Sequence, residues 1–155
     1  MKEVFGNLWT YPGATFRGIT TNGSLRPDGT GVMGAGVAGQ ARKRFPGIEV
    51  ALGQYLARGS NSVVFPTEYP SLFYFPVKHQ WREHASLPLI VRSSVQLAEI
   101  IECQSKISGQ RDSYLLPRPG CGVGGLRWED VKPTIEEILP DEVWVIERMK
   151  ERDHI

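Results

Sequence analysis

The sequence predicts a three-layer α/β/α domain in which a mixed, largely parallel sheet is covered by helices on both faces. Three observations carry this. The chain has 155 residues, the span of one domain able to bury roughly 70% of its unfolded surface. Short β-rich runs alternate with helical periodicity along most of that length, the pattern of sheets built from crossover units. No repeat, low-complexity block or linker interrupts it, so residues 1–155 read as a single domain.

Lys2–Phe5 is expected as a short edge strand closed by the turn at Gly6-Asn7. Phe16–Thr21 reads as a buried strand running into Asn22-Gly23. From Gly31 to Arg44 the spacing turns helical. Val37, Ala38, Ala41 and Phe45 share a face, and Arg42, Lys43 and Arg44 put cations at the negative end of the helix dipole. Pro46-Gly47 stops that helix, and a second is expected over Ile48–Ala57. Ser62–Pro66 and Leu72–Val77 are β-rich and joined by a turn-like stretch, as in a hairpin or strand pair. Ser86 is a candidate N-cap for a helix through Lys106, in which Leu89, Ile90, Leu97, Ile100 and Ile101 form one stripe. Tyr114–Pro117 reads as a central strand, Trp128–Leu139 as a helix stopped by Pro140, and Val143–Ile146 as a last buried strand. The charged tail Glu147–Ile155 is expected to be solvated.

Composition excludes several classes of function. Eighteen basic and seventeen acidic residues leave a net charge of +1, too little for the broad footprint of a nonspecific nucleic-acid binder, although local patches remain open. Cys103 and Cys121 are far apart with no C-x-x-C spacing, so neither a disulfide framework nor a zinc site is indicated. No metal or cofactor is expected. No apolar run approaches the ~20 residues of a membrane span, and the N-terminus lacks a signal-peptide pattern. The reading is a soluble, cytoplasmic protein without membrane contact.

Two glycine-rich loops and one lysine stand out. The first loop, Gly31-Val32-Met33-Gly34-Ala35-Gly36-Val37, runs into a helix. Backbone N–H groups unshielded by Cβ atoms suit a phosphate or diphosphate there; small residues equally suit close helix–sheet packing. A nicotinamide-dinucleotide fingerprint fits poorly, because no acidic residue follows on a strand end after ~20 residues. The second loop is Pro119-Gly120-Cys121-Gly122-Val123-Gly124-Gly125-Leu126. Four glycines among six residues imply positive φ angles or something approaching the backbone. At strand-to-helix junctions of one domain, the two loops are placed to hold two phosphates from opposite sides. Between them, Lys78 follows an apolar strand, where an amine can stabilise developing negative charge or act as a nucleophile. His79 and His84 are candidate proton carriers, and Trp81 is expected in the core or as a pocket wall.

Over nearly its whole length the chain resembles the macro domain family. Gly6-Asn7-Leu8-Trp9 resembles the family's early G-D-[IL] segment, and Ile19-Thr-Thr-Asn22 its strand ending in a ribose-contacting Asn. Gly31 to Ala38 and Gly120 to Leu126 resemble its two phosphate loops. The V-M-G-x-G run, the F-P-x-K strand end before a Trp-Arg pair, and G-C-G before a Trp are similar to the branch of DNA- and glutamate-ADP-ribosyl hydrolases.

This resemblance implies a partner that is ADP-ribose or an ADP-ribosylated macromolecule, ADP-ribosylated DNA among them, bound by a monomer. Asn7 would face the adenine with Leu8 in the same ligand-binding segment, Asn22 would contact the distal ribose, and the loops would hold the diphosphate. Lys78 would stand at the anomeric carbon as the main catalytic group, with Asn22 orienting the sugar. Two departures matter. Asn7 replaces the family's adenine-reading Asp, keeping a carbonyl oxygen to accept from the adenine amino group. Gly124 occupies the position where glutamate-directed relatives carry an Asp, whereas the DNA-directed ones have glycine. The segment from Ser24 to Gly29 is an unusual insertion, expected as a flap over the distal ribose. The leading expectation is therefore an ADP-ribosyl hydrolase. A non-catalytic reader and an ADP-ribose 1″-phosphate phosphatase are the alternatives.

Overall fold

The computed structural model describes residues 1–148. Residues 149–155, most of the expected tail, lie outside the described residues, and Glu147 belongs instead to the last strand.

Five strands, β1 (Lys2–Phe5), β2 (Phe16–Asn22), β3 (Leu72–Lys78), β4 (Tyr114–Pro117) and β5 (Val143–Glu147), form one sheet in the order β1-β5-β4-β2-β3. Every neighbouring pair is parallel. Antiparallel pairing is confined to isolated bridges, Leu25 with Gly31 and Val64 with Tyr74. The expected strand at Ser62–Pro66 therefore contributes a single bridge. Val64 and Tyr74 exchange both backbone bonds, at 3.3 and 2.8 Å, and Pro66 has no N–H with which to extend the ladder.

Four helices, α1 (Gly36–Arg44), α2 (Ile48–Ala57), α3 (Leu87–Ser108) and α4 (Trp128–Glu136), cover the sheet. Side-chain alternation on β3 explains the three layers. Leu72 and Tyr74 join a core with residues of α1 and α2, whereas Phe73, Phe75 and Val77 join a core with residues of α3 and α4. Phe73, Tyr74 and Phe75 are fully buried, each contributing roughly 1.5–3 kcal/mol by leaving water. Ser86 caps α3, its Oγ accepting from the Leu89 N–H at 3.3 Å. Helix α1 starts at Gly36, not Gly31, because the preceding backbone is engaged elsewhere. The Gly31 N–H donates to Glu49 O at 2.8 Å and the Val32 N–H to Ser24 O at 3.4 Å.

Among the described residues no helix is long and apolar enough to cross a membrane. With all strands parallel, every carboxyl end points to the same side, which is where such sheets hold ligands.

Candidate functional site

One cleft of about 1510 Å³ runs along that side. Its lining takes residues from the end of each strand: Asn7 and Leu8 after β1, Asn22 of β2, Lys78 of β3, Gly120 to Gly124 after β4, and Glu147 of β5. Seven lining residues are Arg or Lys and two are Glu, although the chain's net charge is only +1. The cleft concentrates positive charge and so suits an anion.

The first loop is open to a ligand. Ala35 sits at the N-cap of α1 in extended conformation with no capping side chain, and no acidic residue occupies the first turn. The leading N–H groups of a helix have no acceptor within it. Here they belong to Gly36, Val37 and Ala38, which line the cleft together with Val32, Gly34 and Ala35. A Cβ at Gly34 would meet nothing within 4 Å. Met33 departs from the expectation of a ligand contact. It is 1% exposed and packs in the core of α1 and α2, because alternation along the extended loop turns it inward while Val32 faces the cleft.

The second loop is tight. A Cβ at Gly124 would lie 2.6 Å from Gly120 O and 2.8 Å from Ala85 Cβ, so no side chain fits without moving backbone. The Gly124 carbonyl accepts from the Ala85 N–H at 2.9 Å, tying the loop to the start of α3. Gly120, Cys121, Gly122, Val123, Gly124 and Leu126 line the cleft. Pro119 and Gly125 do not: Pro119 is buried, and Gly125 backs onto the His84 ring. Val123, 63% exposed, reaches across to the first loop, 3.4 Å from the place of a Gly36 Cβ. Burial pushes the Cys121 thiol up to about 11, which keeps it neutral and makes it a poor nucleophile.

At one end of the cleft, Asn22 and Lys78 are register partners at adjacent strand ends, beside a bulge between Thr21 and Asn22. The Asn22 amide is fixed at both atoms: Nδ2 donates to Val32 O at 3.0 Å and Oδ1 accepts from the Ser24 N–H at 3.0 Å. The Lys78 carbonyl accepts from the Gly23 N–H and from Asn61 Nδ2, each at 3.1 Å. Its Nζ donates to Trp81 O at 3.4 Å. The insertion after Asn22 is an ordered hairpin, closed by Arg26 N–H to Thr30 O at 2.8 Å, with Leu25, Arg26 and Pro27 on the cleft wall. Trp81 is 51% exposed, so it belongs to the rim and not the core. The strand ends at Lys78, and the Trp81 N–H donates to Ser24 Oγ at 2.9 Å, which carries the ring outward. Of the two candidate histidines, His84 lines the cleft and His79 does not.

At the other end, the Oδ1 of Asn7 accepts from the Trp9 N–H at 2.8 Å. The carbonyl expected to read a base amine thus already accepts one hydrogen bond within its own turn, which leaves its second lone pair and the Nδ2 donors for a ligand. Sequence reasoning missed a polar network here. Arg118 lies 3.2 Å from Glu147 and 3.8 Å from Glu3, and its guanidinium stands 4.7 Å over the Trp128 ring. Trp128 Nε1 donates to Glu3 Oε1 at 3.1 Å, and Lys132 pairs with Glu3 at 2.7 Å. The hydrogen bond from Lys132 holds the Glu3 carboxyl below its ordinary range. The signal for Arg118 was positional, since it directly follows β4 at the ligand-binding edge of the sheet.

No family model matches the chain. It is similar to the DNA ADP-ribosyl glycohydrolase of Thermus aquaticus, with 34% identity over 129 residues, 76% of this chain and 34% of that protein. The chain therefore spans about a third of the length of that curated relative. In structure it is similar to the macrodomain of Thermus aquaticus DarG, with TM-score 0.72 and 31% identity, covering 94% of this chain and 97% of the other. Thermosipho africanus DarTG, solved in complex with ADP-ribose, shares the fold at TM-score 0.69 and 18% identity, covering 98% of this chain and 44% of the other.

Proposed function

The chain belongs to the macrodomain family, and from that premise we propose that its cleft binds ADP-ribose and hydrolyses the bond joining the distal ribose to a nucleic-acid or protein acceptor. The observation that carries the reading is the pairing of Asn22 with Lys78 at the cleft end beside the uncapped helix N-terminus of the first loop. The free N–H groups at Gly36, Val37 and Ala38 face the diphosphate, the preferred ligand of a helix N-terminus. The second loop closes the opposite side, and Asn7 and Leu8 lie toward the base. Asn22, held at both amide atoms, orients the distal ribose. Such positioning converts a bimolecular attack into a local one and supplies much of the rate.

Hydrolysis breaks the bond from the anomeric carbon to the acceptor. A water oxygen bonds to that carbon, and the acceptor leaves with a proton. Lys78 is the cationic side chain beside Asn22 at the strand end, with a single hydrogen bond to Trp81 O and no salt bridge among the described residues. It stabilises charge on the departing group. The DNA ADP-ribosyl glycohydrolase among the relatives supports this reading. The lack of room for a carboxylate at Gly124 favours a DNA-type acceptor over a glutamate ester, and it also supports a second reading, a binding module without turnover.

Two measurements decide. Calorimetry with ADP-ribose is expected to give binding, and its absence would end both readings. Incubation with ADP-ribosylated DNA is expected to release ADP-ribose. Lys78→Ala should slow release by about 100-fold or more while changing ADP-ribose affinity by less than about threefold. Unchanged release would remove Lys78 from the mechanism.

A further inference from the structure

We propose that Trp81, on the rim of the cleft beside the hairpin of residues 24–31, is a stacking platform for an unstacked nucleobase on the acceptor side of the distal ribose. The proposal rests on the reading of the cleft as an ADP-ribosyl site and names what lies beyond it.

Trp81 stands apart from the other tryptophans. Trp9 packs against Phe45, Trp144 against Tyr11, and Trp128 lies under Arg118. Among the described residues Trp81 has no aromatic neighbour, and its one ring contact of this kind is the Arg82 guanidinium, 5.2 Å from the centroid. Its position is set by backbone: the N–H is held by Ser24 Oγ at 2.9 Å, and the carbonyl accepts from Lys78 Nζ at 3.4 Å. The Trp81 backbone is therefore one hydrogen bond from the lysine at the proposed scissile end, and about half of the residue is in water. Leu25, 44% exposed, lines the same end of the cleft.

The adjoining wall is firm. The hairpin is closed by its own backbone bonds, and Gly31 N–H donates to Glu49 O of α2 at 2.8 Å. On α2, a Cβ at Gly53 would run into Gly29 O, so helix and hairpin are in backbone contact. Arg26, Lys78 and Arg82 border the opening and have no salt bridge among the described residues, and Glu83 is the one acidic residue nearby that lines the cleft. An aromatic face set among unpaired cations is the chemistry that binds single-stranded nucleic acid, where the ring stacks a base and the cations meet phosphates. A protein acceptor offers such a face only at an aromatic side chain, whereas every nucleobase carries one.

The test uses a Lys78→Ala background, which holds substrate uncleaved. Affinity for free ADP-ribose is compared with that for a short single-stranded oligodeoxynucleotide carrying one ADP-ribosyl group. The conjugate should bind about tenfold more tightly, the scale of one stacked base. Adding Trp81→Ala should remove that advantage and leave free ADP-ribose affinity within about twofold, while Trp81→Phe should retain most of it. Three results would overturn the proposal alone: an advantage that survives Trp81→Ala, a conjugate no tighter than free ADP-ribose, or an ADP-ribosylated peptide with an equal Trp81-dependent gain. Absence of any ADP-ribose binding sinks the cleft reading, and this proposal with it.

Discussion

The two glycine-rich loops look alike in sequence and are built for different ends. Around Gly34 the space where a Cβ would stand is empty, and the helix that follows begins without a cap. Around Gly124 that space is filled by Gly120 O and Ala85 Cβ, and the carbonyl is spent on Ala85 N–H. One loop leaves the leading N–H groups of α1 facing the cleft without a protein acceptor. The other is satisfied by the protein itself and fixes the shape of the cleft. Glycine in the first leaves open space on the cleft side, and glycine in the second serves packing.

Substitution separates the two roles. Gly124→Ala forces backbone apart and is expected to cost about 1–3 kcal/mol, whereas Gly34→Ala should stay within about 0.5 kcal/mol. Urea unfolding of both variants checks this, and equal losses would erase the distinction between the loops.

A smaller effect, opposite in sign for stability and binding, is expected at the N-cap of α1. Ala35→Asp supplies the missing cap and complements the helix dipole, raising stability by about 0.5–1 kcal/mol. The same carboxylate occupies the N–H groups and repels a diphosphate, so ADP-ribose affinity should fall by about tenfold or more. Thermal melting and calorimetry on this one variant read both effects. A variant that gains stability and keeps its affinity would show that the diphosphate sits elsewhere.

The smallest effect is alkaline. Cys121 is raised in the folded state from 9.0 to about 11 by burial, so folding favours the neutral thiol. Its contribution is complete below about pH 9 and is lost as the pH rises toward 11. Cys121→Ser should flatten that part of the stability profile relative to the parent chain, and a profile that does not change would mean the thiol is not buried on the second loop.

Much of the fold was legible because local chemistry and tertiary position agree. Leu72–Val77 is an apolar run that packs on both faces, and Leu89, Ile90, Leu97 and Ile101 of the α3 stripe are buried where their periodicity puts them. Legibility failed where distant partners decided. Ser62–Pro66 has the composition of a strand yet, among the described residues, finds only Tyr74 to pair with. Met33 sits inside the first glycine-rich loop but is drawn into the core by alternation. Asn7 lines the cleft, but the hydrogen bond its oxygen accepts from the Trp9 N–H was not legible.

The order of short apolar runs, the two glycine loops and the lysine at a strand end are written in the chain itself, since each depends on neighbours within a few residues. The pairing of Asn22 with Lys78, the closed space behind Gly124, the network around Arg118 and the exposure of Trp81 depend on the sheet order β1-β5-β4-β2-β3. That order brings together segments a hundred residues apart, and no local propensity records which of them will meet.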